Sequence, residues 1–480
     1  MKPAADLVGP ESYAFDVSHG RAPEARRSSD DAAVLDSGLA AARQANGLTA
    51  IAFPAPIVAA SAIIAAWRAA PAVAWSSRDL TIVGIGVAHE LRGSGQARCD
   101  EIVAGARRLA IGEVIVSAAV AKGDRKLALA RPRLLGGLAF TPGAADSAPW
   151  TGFGDAWFML PRWTYVQDGA SAWLVLAVDA RDARDAKRWH DELAAFRVAL
   201  ANHFAARPQP PMIEIDRGDV CAWRDQVREI TNAIARGECE KVVAARSAVV
   251  TLGGEARAAD LLAELDARHE DCVRLLVRPP AGGTLIAATP ERLVRVDGST
   301  VACDALAGSR ARIDNADHAA LLASTKDHRE HELVVRAIAS TLAELGDVRV
   351  PEAPGIRALR HVLHLHTPIT AKLRSPHHVL EIAARLHPTP AVGGTPTQFA
   401  TEWIGSRETS QRGWYASPVG WFDLEGNGEL AVAIRSGVLI GEHAHLWAGA
   451  GIVAGSDADR ELAETELKLR AMLGALGAAA

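Results

Sequence analysis

Three apolar runs, residues 134–140, 157–163 and 172–178, follow one another with no helical pattern between them. Each is short and bounded by turn residues, which is how buried strands read. Residues 80–88 form a further apolar strand. Its Gly84-x-Gly86 lacks the third glycine that a dinucleotide-binding loop requires. Helical patterns are expected over 99–110, 182–201, 315–345, 377–386 and 457–476. Another carries Trp223, Val227, Ile230 and Ile234 on one face and is expected to end at Gly237. Consecutive strands mixed with helices favour an α+β fold over a doubly wound sheet. No repeat of solenoid spacing is present.

The chain has 480 residues, enough for two or three average domains or one large one. With 49% hydrophobic and 23% charged residues and a net charge of −5, it reads as globular. Neither a nucleic-acid surface nor a polybasic membrane anchor is expected. The most apolar stretch, 49–75, is interrupted by Pro54, Pro56, Arg68 and Pro71. It reads as strand plus helix, not a membrane span. Cys99, Cys221, Cys239, Cys272 and Cys303 are scattered, with no CxxC pair. This argues against a disulfide framework or zinc site and for reduced thiols in the cytoplasm. Residues 1–40 are expected to be a flexible segment and do not read as a signal peptide. Residues 41–206 form the N-terminal α+β half of one globular unit. The proline-rich stretch Arg207-Pro-Gln-Pro-Pro211 is the best boundary, and 212–480 is the catalytic region.

Chemistry-bearing residues gather in this second half. Lys241 is the sole amine of the apolar strand Lys241-Val-Val-Ala-Ala-Arg246. It reads either as a solvent-facing lysine or as a cleft amine that loses its proton easily. Glu291, after a turn, is either a surface acid paired with Arg292 or a desolvated general acid. Asp327 and Glu330 are three residues apart on a charged helix and offer carboxylates suited to magnesium, if they are not simply solvated. His331-Glu332 begins like a zinc-protease helix, but Val335 stands where the second histidine belongs. Strand alternation puts His364 and His366 on one face and His361 on the other, against a metal triad. Arg435 is a lone guanidinium in an apolar strand and needs an anion. A Gly-rich turn, Gly449-Ala-Gly451, leads to a helix with Glu461, Glu464 and Lys468 on one face. That face reads equally well as solvent-exposed or as a site for a cation and an anion.

Taken together, these segments resemble the chorismate-utilising enzymes, and isochorismate synthases above all. The likeness runs from about Trp223 to Leu473. It adds Thr289-Pro-Glu-Arg292, Ala305-Leu-Ala-Gly308, Lys326-Asp-His-Arg-Glu-His331, Leu386-His-Pro-Thr-Pro-Ala-Val-Gly-Gly394, Arg412-Gly-Trp-Tyr415 and Ala433-Ile-Arg-Ser436 to the segments above. The resemblance implies large antiparallel sheets packed as a sandwich, with outer helices and a central cleft. It implies a magnesium-dependent isomerisation in which chorismate gains water at C2 and loses the C4 hydroxyl. Lys241 then corresponds to the general base and Glu291 to the general acid, which requires a neutral lysine and a protonated glutamate. Glu330 and Glu464 correspond to metal ligands, with Glu461 and Asp327 supporting those ligands or reaching the ion through water. Tyr415 and Arg435 correspond to residues that hold the enolpyruvyl carboxylate. Gly449 and Gly451 add backbone donors, while Lys468, His364 and Ala391 line the cleft.

Among relatives, aminating members typically lack the lysine at position 241, and aminodeoxychorismate synthases carry a lysine where this chain has Ala307. No amidotransferase subunit is therefore expected. Salicylate synthases share the lysine, go on to eliminate pyruvate, and typically have threonine at position 391. They are the alternative reading, followed by a catalytically silent chorismate-binding subunit. A monomer is expected. Cys303-Asp304, Ser309 and Ala458-Asp459 depart from the usual pattern of relatives.

Overall fold

The computed structural model describes residues 29–112, 114–117, 125–202, 204–313 and 316–478. Its strands join through antiparallel ladders into two arms. One arm runs Thr49–Ala55, Ala172–Val178, Ala156–Gln167, Thr81–Gly93, Ala72–Ser76, Val273–Arg278, Thr284–Thr289, Ser436–Ile440, His443–Val453 and Lys241–Leu252. The other starts from the same Ala156–Gln167 strand. It runs through Arg133–Leu138, Pro418–Asp423, Gly428–Val432, Arg292–Asp297, Thr300–Ala311 and Val362–Leu373. Along one edge of the shared strand, residues 163–167 pair with Ala172–Val178 and residues 156–159 with Arg133–Leu138, while the other edge pairs with Thr81–Gly93.

Strand alternation builds two cores. Val73 and Trp75 of the first arm pack in one core with Leu135, Val294, Phe422 and Leu430 of the second. Ala72 and Ala74 point the other way. They share the second core with Leu35, Ile63, Trp189, Leu261 and Leu473, each from a different helix. The result is a sheet sandwich with helices outside, an α+β architecture.

Several sequence expectations change. Residues 1–28 of the expected flexible segment lie outside the described residues, but 29–40 belong to a helix, Ser29–Ala42. Its Val34, Leu35 and Leu39 are buried, and their contact with the outer core orders it. The helix expected over 315–345 is two helices, Ala316–Leu322 and Thr325–Ala343. Ser324 starts the second by accepting a bond from the Asp327 amide. Helices Ala258–Arg268 and Thr397–Arg407 went unread. The proline-rich boundary is followed by a strand, Met212–Asp216, paired with Lys241–Leu252. Ladders from 72–76 to 273–278 and from 133–138 to 418–423 stitch the two halves into one unit.

Gly136 lies in one of the stitching strands and is closely confined. A Cβ there would lie 2.0 Å from the Trp157 carbonyl oxygen, a backbone atom that cannot rotate away. Gly136→Ala is expected to lower unfolding free energy in urea by about 1–3 kcal/mol. Gly405→Ala, in open space on a helix, is expected to raise it by up to about 1 kcal/mol.

Candidate active site

The site forms where the Lys241–Leu252 and His443–Val453 strands meet the helix Thr325–Ala343. Lys241, at the start of its strand, pairs with Val453 on one side and Thr395 on the other, and its side chain has no exposed surface. Its Nζ lies 2.9 Å from Glu330 Oε1, yet the amine has no well-directed hydrogen bond. The contact is therefore ionic and oblique. Gly451 makes it possible: a Cβ there would stand 2.3 Å from Glu330 Oε1 and 2.8 Å from Lys241 Cε. Gly449 is similarly confined, with Tyr415 Oη and the Ala244 carbonyl each 3.1 Å from where its Cβ would be. Both glycines lie within a paired strand. This corrects the expectation of an open Gly-rich turn, because ladder pairing with Ala245 and Val243 claims this stretch. Their contribution is missing side-chain bulk.

Glu291 is buried at a kink between two strands, its amide donating to Thr289 Oγ1. Burial drives its carboxyl up to about 8; Lys241 opposes the shift and Asp304 adds to it. A carboxyl so placed is protonated at neutral pH. Asp304 is itself buried, bonded to His366 Nε2 at 2.9 Å and flanked by Arg292 and Arg357.

Arg435 stands out in its backbone: its φ is +52°, a left-handed conformation unusual for a side-chain-bearing residue, and Ala416 shares it at +59°. The Arg435 guanidinium is buried and, among the described residues, has no carboxylate ion pair. Instead Nη2 donates to His364 Nε2 at 3.0 Å. Burial and the neighbouring Arg435 push His364 well below the usual histidine range, so it accepts that bond as a neutral ring. Its Nδ1 reaches Ser309 Oγ at 3.0 Å. Tyr415 is buried close by, and burial raises its phenol to about 12, so it stays a donor. The structure thus presents a desolvated cation and a hydroxyl, ready for an anion that the protein does not supply.

One narrow pocket is lined by Glu291, Glu330, His364, Ala391, Tyr415, Arg435, Gly449, Gly451 and Lys468. Part of its wall is a β-bulge at Gly308 (φ +73°), where pairing with the Val362–Leu373 strand slips between Ala307 and Ser309. The bulge packs against the first turn of the Thr325–Ala343 helix, and a Cβ on Gly308 would lie 3.0 Å from Asp327 Cβ. Lys241, Asp327, Glu461 and Glu464 are not among the residues that line the pocket. Lys241 sits behind Gly451 and Glu330.

The expected metal ligands cluster, but each takes an amine or a cap. Glu464 pairs with Lys468 at 2.6 Å, Glu461 with Lys326 at 2.6 Å, and Glu330 with Lys241. Lys468 also donates to the Gly449 carbonyl at 2.8 Å. Among the described residues, no group of three or more histidine, cysteine or acidic side chains is arranged to hold a metal. The acids still feel one another. Burial and then Glu464 raise the Glu461 carboxyl, while burial raises Asp327 and both Glu330 and Glu464 add to it. Burial also works against charge on Glu330, but Lys241, Lys468 and Lys326 outweigh it and hold the carboxyl low. Lys326 was not singled out in the sequence, although it directly precedes Asp327. His361 lies away from this pocket, and His331 bonds Thr367. Neither joins the acids.

The chorismate binding enzyme family matches residues 39–477. The chain belongs to this family. It is 34% identical over 429 residues, 87% of either chain, to the salicylate biosynthesis isochorismate synthase of Pseudomonas aeruginosa. It is 33% identical over 354 residues to the isochorismate synthase MenF of Bacillus subtilis, covering 72% of this chain and 75% of that one. The solved menaquinone-specific isochorismate synthase of Escherichia coli shares its fold. The TM-score is 0.75 at 24% identity over 93% of this chain and 100% of that one. Among the described residues, no helix of this chorismate-binding enzyme is long and apolar enough to cross a membrane.

Gly451→Ala tests the crowded amine–carboxylate contact directly. The added methyl must displace Glu330 or Lys241, so chorismate turnover is expected to fall about 100-fold or more. The far-ultraviolet dichroism should remain that of the parent. Wild-type turnover in the folded variant would show that the contact is dispensable.

Proposed function

We propose that the chain is an isochorismate synthase, converting chorismate to isochorismate by adding water at C2 and losing the C4 hydroxyl. The observation that carries this reading is a buried carboxyl, Glu291, held protonated at neutral pH within electrostatic reach of a fully buried amine, Lys241. Hydroxide is a poor leaving group and water a poor nucleophile, so the reaction needs proton transfer at both ends. Glu291 gives its proton to the departing C4 oxygen, which leaves as water. Lys241 takes a proton from the water that bonds to C2, a role that requires it first to give up its own extra proton and its contact with Glu330. Both ring double bonds shift, and because one water adds as another leaves, substrate and product share one molecular formula. Arg435 and Tyr415 are suited to holding the enolpyruvyl carboxylate through a guanidinium and a hydroxyl donor. Lys468 and His364 hold the pocket around them.

The oxygen donors of Glu330 and Glu464, with Glu461 and Asp327 beside them, fit magnesium better than zinc. Bound there, the ion would offset repulsion between the ring carboxylate and these glutamates. The lysines now paired with Glu330, Glu461 and Glu464 would have to yield to it. The described cysteines are all free, which supports work in a reducing cytoplasm, and we propose that the enzyme acts as a monomer without an amidotransferase.

Incubation with chorismate and magnesium is expected to yield isochorismate without stoichiometric pyruvate; pyruvate release would instead mark a salicylate synthase. Lys241→Ala is expected to abolish turnover, and near-normal activity would remove the amine from the base role. The Glu291 acid works while protonated, below its pKa. The pH profile of kcat/KM should therefore fall as pH rises through about 8, and the Glu291→Gln variant should be inactive.

A second comparison isolates the metal. Glu464→Gln should raise the magnesium concentration needed for half-maximal activity far more than Glu466→Gln. Glu466 instead pairs with Arg217 and Arg246. Equal effects would remove Glu464 from the ligand set.

A further inference from the structure

Behind the pocket wall lies a buried ion pair that proton transfer does not use. Arg412 and Glu408 are both almost fully buried. Arg412 Nε donates to Glu408 Oε2 at 2.8 Å, and Nη2 donates to Oε1, a two-pronged pairing. The remaining donors leave the pair. Nη1 reaches the Val392 carbonyl at 2.7 Å, and Nη2 also reaches the Val243 carbonyl at 2.7 Å. Glu408 Oε1 accepts the Ala245 amide at 2.9 Å. The guanidinium lies 4.4 Å from the centre of the Phe140 ring.

These partners sit on three separate segments. Val243 and Ala245 are on the strand that begins with Lys241, and Val392 is on the turn 387–394. Arg412 itself begins the turn that presents Tyr415, whose amide donates to the Arg412 carbonyl at 2.8 Å. Val243, Val392 and Tyr415 all line the pocket. The strand and the 387–394 turn touch otherwise through the Val243 amide to the Gly393 carbonyl and a two-residue ladder at Gly394 and Thr395.

We infer that Arg412 and Glu408 are positioning residues that set the spacing between the base-bearing strand, the 387–394 turn and Tyr415. The inference rests on the isochorismate synthase reading for its effect on turnover, and on the hydrogen bonds alone for its structural part. A buried pair contributes little net stability when both members can be replaced by apolar groups. Its value here is geometric. Only a planar fork with several donors reaches two carbonyls while holding a carboxylate; a lysine ammonium keeps the charge but not the fork.

The test uses the full chain carrying Arg412→Met together with Glu408→Leu, which removes both charges and so avoids stranding one. Arg412→Lys is the second variant. Hydrogen exchange reads the clamp independently of catalysis. In the double variant the Val243 and Ala245 amides should exchange faster, while Val250, further along the same strand, keeps its rate. Unchanged exchange at Val243 and Ala245 would overturn the clamp. In steady-state assays with chorismate, both variants should lose kcat by about 10- to 100-fold, with a smaller change in KM, while thermal midpoints stay near the parent. A kcat within twofold of the parent in either folded variant would make the pair merely structural. If the parent itself leaves chorismate unchanged, the functional reading fails and the exchange result alone decides the clamp. Should the double variant not fold, Arg412→Lys carries both measurements.

Discussion

The site depends on keeping a charged pair in a place with almost no room. Lys241 has no exposed surface, and Glu330 approaches it across Gly451 in a gap that a single methyl would fill. Burying an amine is costly unless a carboxylate stands beside it. The strand pairing of His443–Val453 with Lys241–Leu252 brings that carboxylate within reach, because two of its residues carry no side chain. The helix bearing Glu330, the bulge at Gly308 and the tail helix with Glu464 all arrange themselves around this narrow gap.

Opposite electrostatics divide the pocket. Toward the acids, three lysines each hold one glutamate, so the cluster carries little net charge without an added cation. Toward Arg435 the balance reverses: a buried guanidinium meets a neutral histidine and a protonated phenol, with no carboxylate ion pair among the described residues. Left-handed backbone at Arg435 and Ala416 marks where the chain accepts local strain to aim these groups. A small anion with a carboxylate at the Arg435 end fits this side of the pocket. Chorismate has that form.

Burial and neighbouring charge also set two glutamates of the site apart. Glu291 is desolvated without a bonded cation, so its carboxyl rises toward neutral pH. Glu330 keeps 14% of its side chain exposed and has three lysines around it, so its carboxyl is held low. Two glutamates of one chain thus take opposite charge states because their neighbours differ. Behind them, the Arg412–Glu408 pair ties together strand, turn and tyrosine through backbone carbonyls, at a distance from any reacting atom.

Residue types and spacing were enough to read the α+β class, and the order of the short motifs carried the resemblance that singled out Glu291, Glu330, His364, Tyr415 and Arg435, which line one pocket, along with Lys241, Asp327, Glu461 and Glu464, which do not. The same reading missed the ordering of residues 29–40, because only the outer core buries Val34, Leu35 and Leu39. It missed the break at Ser324, because a cap inside a strongly helical stretch is decided by what the two helices pack against. It took Gly449 and Gly451 for an open turn, because which strand a glycine pairs with depends on residues two hundred positions away. The partners of Glu461 and Arg412 were likewise invisible. A sequence determines which side chains are present and their local preferences. Which charge meets which, and how far each is removed from water, is decided only when distant strands and helices close on one another.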